Sequence, residues 1–289
     1  ITAEFVWNVA EREGKKCILI NWPFSWPPTI KDGVVIAGTG PGDPRWRIEY
    51  GCVYTTDPLD RREIKVEVKL AEGWKNLPKS HSPPLEVVIP LKTRASAFVW
   101  TESGWESTKA EVEEMTPMSA KLTEEEPETK VEETTEYYYA LIVDSKGEGY
   151  DTVIVTKEKD ASEGMTKLSL GSWSDWIFDE FRFKVVAKYH GVKIEESLRE
   201  GPLKGAFKFK LVELSKDGKR ITLYRTAIFR TDGWVSPESL AEDIVRNVGP
   251  YCEGLELIPL ITITRKDFTT YFELLEVQMD WFIRALRYF

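Results

Sequence analysis

Residues 16–38 read KCILINWPFSWPPTIKDGVVIAG. An apolar run, Cys17–Ile20, stops at Asn21-Trp22-Pro23. Trp26-Pro27-Pro28 follows, and a second apolar run, Val34–Ala37, closes the stretch. Pro23, Pro27 and Pro28 lack the amide donor that a sheet ladder needs, so the chain must leave the first strand here. Two tryptophans then stand in a loop at a strand end, where ligands of α/β sheets usually meet the protein. Upstream, Glu4, Phe5, Val6, Val9 and Ala10 read as a short amphipathic helix that Gly14 stops at its C′ position. Helix, strand, loop and strand are the grammar of a sheet covered by helices.

From about residue 60 the pattern changes. Ile64, Val66, Val68 and Leu70 alternate with Lys65, Glu67 and Lys69, which predicts one half-buried strand. Leu85–Leu91 and Ala97–Thr101 read as further strands. Tyr137–Asp144 and Tyr150–Thr156 flank Ser145-Lys146-Gly147-Glu148-Gly149, a hairpin loop. The alternation over 206–214, turned at Asp217-Gly218 into 220–229, predicts a second long hairpin. Helical spacing returns after Arg230. Ser236 is expected as N-cap and Pro237 as first helical residue, with an apolar face of Leu240, Ile244, Val245 and Val248. A last helix over 266–289 carries Phe268, Tyr271, Phe272, Leu275, Met279, Phe282, Ile283 and Leu286 at three- and four-residue spacing. The fold class expected is α+β. Core-type α/β segments at 1–58 and 232–289 are interrupted by an inserted, mostly antiparallel β-rich region at 59–231.

Composition narrows the function. A chain of 289 residues with 42% hydrophobic and 30% charged residues is that of a soluble globular protein with a substantial core. Eleven tryptophans point first to an aromatic core. The net charge is −9, and residues 106–136, with eleven Glu and three Lys, account for −8 of it. The remainder is close to neutral, which disfavours binding of a nucleic-acid polymer. The acidic stretch has neither Asp nor Asn, so calcium loops are excluded and a solvated face is expected. No run is long and apolar enough to span a membrane, and no signal segment is visible. Cys17, Cys52 and Cys252 form no CxxC, which excludes a zinc knuckle and leans towards a reducing, cytoplasmic location. The sequence begins on Ile1 and ends on an uncapped apolar turn at Phe289, so it is expected to be the middle of a longer chain.

Little catalytic equipment is visible. His81 and His190 have no partners at helix spacing, which excludes HExxH-type sites. Gly38-Thr39-Gly40-Pro41-Gly42 lacks the Gly-Lys-Ser/Thr ending of a phosphate loop and reads as a turn. Arg45 and Arg47 flank Trp46 and can meet a phosphate, although salt bridges are the usual fate of such arginines. No GxSxG elbow occurs.

Asn21-Trp22-Pro23-Phe24-Ser25-Trp26-Pro27-Pro28 followed by Asp32-Gly33-Val34-Val35-Ile36-Ala37-Gly38 resembles a stretch of the type I phosphodiesterase/nucleotide pyrophosphatase family, within the alkaline phosphatase superfamily. Leu170-Gly171-Ser172-Trp173-Ser174-Asp175-Trp176 is similar to the GEWSDW of that family's inserted β domain. Residues 205–211 and 221–228 resemble the strands after it, and 276–289 the helix before the next catalytic strand. The likeness covers most of the chain and is weakest over 100–136. It implies an enzyme with two zinc-type metals, Asp and His ligands and a Thr or Ser nucleophile, acting on a small phosphorylated substrate. Those ligands and the nucleophile match no position of this sequence, so the chain is expected to hold no metal or other cofactor itself and to be inactive alone. Trp22, Trp26 and Arg45 are the expected substrate contacts, by stacking and phosphate pairing. The alternative is a non-enzymatic β-rich binding module using an exposed strip of Trp173 and Trp176 beside Tyr137–Tyr139. A scaffold role is a third reading.

Overall fold

The computed structural model describes residues 4–38, 46–59, 63–93, 99–101, 104–106, 129–131, 134–181, 185–189, 192–194, 202–252 and 268–289. In chain order it opens with α1 (Val6–Arg12), β1 (Cys17–Ile20), β2 (Gly33–Ile36), β3 (Arg47–Glu49), β4 (Cys52–Thr55), β5 (Ile64–Lys65) and β6 (Lys69–Leu70). Then come β7 (Leu85–Thr93), β8 (Val99–Thr101), β9 (Gly104–Glu106), β10 (Thr129–Val131), β11 (Thr134–Val143), β12 (Thr152–Thr156) and β13 (Thr166–Ser169). The chain continues through β14 (Ile177–Phe181), β15 (Val185–Tyr189), β16 (Val192–Ile194), β17 (Leu203–Phe207), β18 (Phe209–Leu214), β19 (Ile221–Arg225), β20 (Ile228–Arg230) and β21 (Val235–Ser236). It closes with α2 (Ala241–Asn247) and α3 (Thr269–Tyr288). The fold is α+β and mostly β, as the sequence indicates.

The first sheet has the order β1-β2-β21, with β1 and β2 parallel and β21 antiparallel. Helices lie on both of its faces. On one, Trp7 of α1 packs with Ile30, Val35, Cys17 and Leu19. On the other, Ile36, Val34 and Ile20 meet Ile244 of α2 and Trp281 and Ala285 of α3. Burial of a side chain of Trp7's size contributes about 2–3 kcal/mol, and its Nε1 donates to Thr29 Oγ1 (3.0 Å). Gly14 stops α1 in the left-handed region, φ +73°. The second apolar helix begins later than its sequence suggests. Ser236 stays extended because β21 pairs with β2, Val35 opposite Ser236 and Ile36 opposite Val235. Pro237 then precedes a single 3₁₀ turn, Glu238–Leu240, and α2 starts only at Ala241.

The β-rich region is built around a shared bend. One sheet has the order β14-β17-β20-β3 and a second β18-β19-β4-β5. Strands β17, β19 and β3 run directly into β18, β20 and β4, and the joined strands keep the same lateral order in both sheets. The predicted long hairpin is therefore two stacked hairpins, interrupted at Lys208 and at Thr226-Ala227, where Thr226 N–H donates to Lys208 O (3.0 Å). Such corners let one set of strands serve two sheets. Strands β3 and β4, placed with the 1–58 segment on sequence, are hydrogen-bonded to β20 and β19. A third sheet, β13-β12-β11-β7-β6, carries the hairpin over 145–149 where expected. The alternating stretch 64–70 is not one strand. Ile64–Lys65 joins β4, Lys69–Leu70 joins β7, and the residues between pass from one sheet to the other. Residues from all three sheets, among them Tyr54, Ile89, Tyr138, Phe181, Phe207, Phe209 and Leu223, form one core.

Arg225 occupies the bend with its side chain fully buried. Its Nη2 donates to Glu49 (2.9 Å) and to Tyr50 O (3.0 Å), and Nη1 to Thr226 O (2.8 Å). These carbonyls lie where the strands turn from one sheet into the next, so the guanidinium supplies donors at the corner. Burial alone would lower the Arg225 pKa, but Glu49 beside it raises it, and the cation persists. Burial also holds the Tyr54 hydroxyl far above its ordinary pKa, as a neutral phenol.

Helix α3 joins the two regions. Its first turns, through Tyr271 and Leu274, pack on Val53, Tyr224 and Trp173, while Trp281 and Ala285 reach the α/β sheet. Lys210, 2% exposed, donates to Thr270 Oγ1 (2.9 Å) and pairs with Glu273 (2.5 Å). The face expected to be buried is only partly used: Tyr271 and Phe282 pack on the core. Phe268, Phe272, Met279, Ile283 and Leu286 are exposed, and the fully packed positions are Thr270, Trp281 and Ala285. Small Ala285 and Thr270 permit close approach to the sheets, which the bulkier stripe would prevent.

Candidate functional site

The loop of residues 21–32 leaves the carboxyl end of β1 and returns to the start of β2. Both parallel strands end in a left-handed residue, Asn21 (φ +48°) after β1 and Ala37 (φ +49°) after β2, and Phe24 (φ +65°) is a third within the loop. Left-handed backbone costs a non-glycine residue about 1–2 kcal/mol, so the surrounding contacts must hold it. Asn21 N–H donates to Ile36 O (2.8 Å), Ala37 N–H to Trp234 O (2.7 Å), and buried Ser25 donates from Oγ to Ala37 O (3.3 Å). Glu11 of α1 accepts from the amides of Lys31 (2.6 Å) and Asp32 (2.7 Å), fixing the far end. Gly38 (φ +99°) lies so close that a Cβ there would collide with Ser25 Oγ and the Trp22 carbonyl.

The result is a fixed aromatic rim. Trp22 is 56% exposed and Phe24 73%, separated by Pro23 at the carboxyl end of the parallel pair. Trp26 turns inward instead, with its ring edge-on to Trp46 (5.1 Å), between the clusters on the two faces of the sheet. Of the three expected contacts, Trp22 faces solvent, Trp26 packs the loop onto the body, and Arg45 lies outside the described residues. Phe24, quoted within the loop motif but not chosen, is the more exposed neighbour of Trp22. Its position after Pro23 was the available signal.

Arg47 is the described arginine beside Trp46. It opens β3 directly after Trp46, and it is 8% exposed. Its guanidinium lies over the Tyr50 ring at 5.2 Å, and the buried Nε makes no hydrogen bond. Among the described residues no carboxylate comes within ion-pair distance of it.

The aromatic residues named for a binding strip do not share one exposed surface. Trp173 packs edge-on against Tyr224 (5.9 Å) and donates to Glu273 (2.8 Å). Trp176 packs against Phe229 (6.3 Å), with Lys208 over its ring (5.2 Å). Tyr138 is fully buried and donates to Asp179 (2.6 Å), while Tyr137 is half-exposed. His81 is exposed, its amide bonded to Asp144 O (2.9 Å), and His190 lies outside the described residues. Among the described residues no three His, Cys, Asp or Glu side chains converge, so they do not fit the donor set of a two-zinc centre. No helix of the described residues is long and apolar enough to cross a membrane. Comparison with protein-family models, with curated proteins and with solved structures returned no match.

Proposed function

We propose that this chain is the central region of a metal-dependent phosphodiesterase or nucleotide pyrophosphatase-like hydrolase, supplying a wall of the substrate site rather than the reacting groups. The observation that carries this reading is the loop of residues 21–38. It stands at the carboxyl end of a parallel strand pair with helices on both faces, the place where open α/β sheets take ligands. Its strained, multiply tied backbone presents Trp22 and Phe24 to solvent, which suits stacking on the flat leaving group of a phosphate ester. Metals of the intact enzyme would activate a nucleophile and offset developing charge. The residues present here orient the ester's organic part and exclude water from it.

The test has two arms. Titration with a non-hydrolysable nucleotide, followed by tryptophan fluorescence, is expected to give saturable quenching that Trp22→Ala weakens at least about tenfold, the loss of one stacking contact. The isolated chain is expected neither to hydrolyse bis-p-nitrophenyl phosphate nor to bind zinc stoichiometrically. No quenching in the first arm refutes the ligand-facing loop. Turnover with two metals bound per chain refutes the absence of the reacting groups.

A further inference from the structure

We infer that Arg47 is an oxyanion-binding residue, receiving a phosphate-type group of a ligand seated beside the aromatic loop. The argument begins with a comparison of three arginines at the core of the fold. Arg225 is fully buried and meets Glu49 and two backbone carbonyls. Arg230, 11% exposed, meets Asp232 (2.5 Å). Arg47 is about as buried as these, yet among the described residues its guanidinium meets the face of Tyr50, and its Nε is left without an acceptor.

A guanidinium cannot escape such a position by losing its proton, because its pKa is too high. Its Nε is a donor withdrawn from water without an acceptor, which is unfavourable, and the Tyr50 face offsets only part of that. A fold tolerates such a deficit where an anion arrives to close it. The shape of the group favours an oxyanion with two adjacent oxygens, since the planar fork donates two parallel hydrogen bonds to phosphate or carboxylate.

Strand β3 is the free edge of its sheet, and Arg47 lies opposite Phe229 where the register shifts between Ile228 and Phe229. Such irregularities at sheet edges re-aim a side chain out of the ladder. The preceding residue, Trp46, holds Trp26 of the loop edge-on. Trp46 thus ties the strand that carries Arg47 to the aromatic loop through Trp26. The choice of phosphate over carboxylate rests on the phosphate-ester reading above; the unpaired guanidinium stands without it.

The experiment is thermal unfolding of the full chain, followed by tryptophan fluorescence, in inorganic phosphate, in a nucleoside monophosphate, in acetate, and in chloride at matched ionic strength. For the wild type, phosphate and the nucleotide are expected to raise Tm over chloride by about 2–4 °C, and acetate less. A larger rise with the nucleotide marks the ester as the ligand; equal rises mark free phosphate. Arg47→Met is expected to melt at or above the wild type in chloride, because it removes an unpaired buried charge, and to lose the rise with phosphate. Arg47→Lys, which keeps the charge but not the fork, is expected to bind phosphate several-fold more weakly. Phosphate stabilisation that persists in Arg47→Met, or unchanged phosphate affinity in Arg47→Lys, overturns the assignment and leaves the phosphate-ester reading standing. No stabilisation of the wild type by any of these anions overturns both.

Discussion

Replacing Arg225 by methionine keeps the stem and removes the head. Glu49, whose side chain is 12% exposed, then loses the Arg225 cation at 2.9 Å, and breaking one member of a buried pair costs about 3–5 kcal/mol. Tyr50 O and Thr226 O also lose donors at 3.0 and 2.8 Å, worth on the order of 1 kcal/mol each. Because the three bonds share one side chain, the terms overlap, and a total of about 4–5 kcal/mol is expected. Most of that is the stranded carboxylate. Arg225→Met with Glu49→Gln should therefore recover about 2 kcal/mol relative to the single variant, since no uncompensated charge remains. Urea unfolding followed by tryptophan fluorescence measures both, with the slope checked for constancy. A loss below about 1 kcal/mol for Arg225→Met, or a double variant no better than the single one, refutes the corner as described.

Two further expectations concern the loop and the pH. Gly38→Ala combines a left-handed residue with collisions against Ser25 and Trp22, so it should lose more than about 2 kcal/mol. Gly73→Ala (φ +73°), where a Cβ would meet nothing within 4 Å, should lose only about 1 kcal/mol. Equal losses in urea unfolding would contradict the tight seat of the loop. Burial would raise the Glu86 pKa, but donation from Lys159 Nζ (2.8 Å) and Trp74 Nε1 (2.6 Å) brings it below the usual carboxylate range. A depressed carboxylate stabilises the fold above its unfolded pKa, and that contribution is lost as pH falls through the folded value. Glu86→Gln should thus cost about 1 kcal/mol at neutral pH, limited by the solvent at the carboxylate's edge, and nothing near pH 2. A difference independent of pH would remove Glu86 from the account.

Much of this architecture is legible in the residues, and the exceptions have physical causes. Gly14 and the apolar spacing before it place α1, and the two glycines of 145–149 place their hairpin, because both signals are local. The bends at Lys208 and Thr226 are invisible because apolar and polar residues keep alternating straight through them. Only the partners of β3 and β4, more than 150 residues away, decide that the strand turns. In α3 apolar residues occupy so much of the surface that spacing cannot choose a face, and the small residues decide it by how closely they approach. The loop was readable as a strand exit from its prolines, whereas the left-handed Ala37 follows from contacts with Trp234 and Ser25. Arg45 and Arg47 look alike in sequence. That Arg47 has no carboxylate within ion-pair distance among the described residues is a property of tertiary neighbours, which spacing does not carry.

The shared bend has a mechanical consequence. Three strands cross it in parallel, so a force that would fold one sheet against the other is carried by three backbones at once and by the arginine that rivets them. Neither sheet can swing alone. Where the chain can be cut or lengthened follows as well: the hairpin tips at 145–149 and 215–219 carry no part of that load, whereas a break at 50–51, 208 or 226 would sever the rivet line itself.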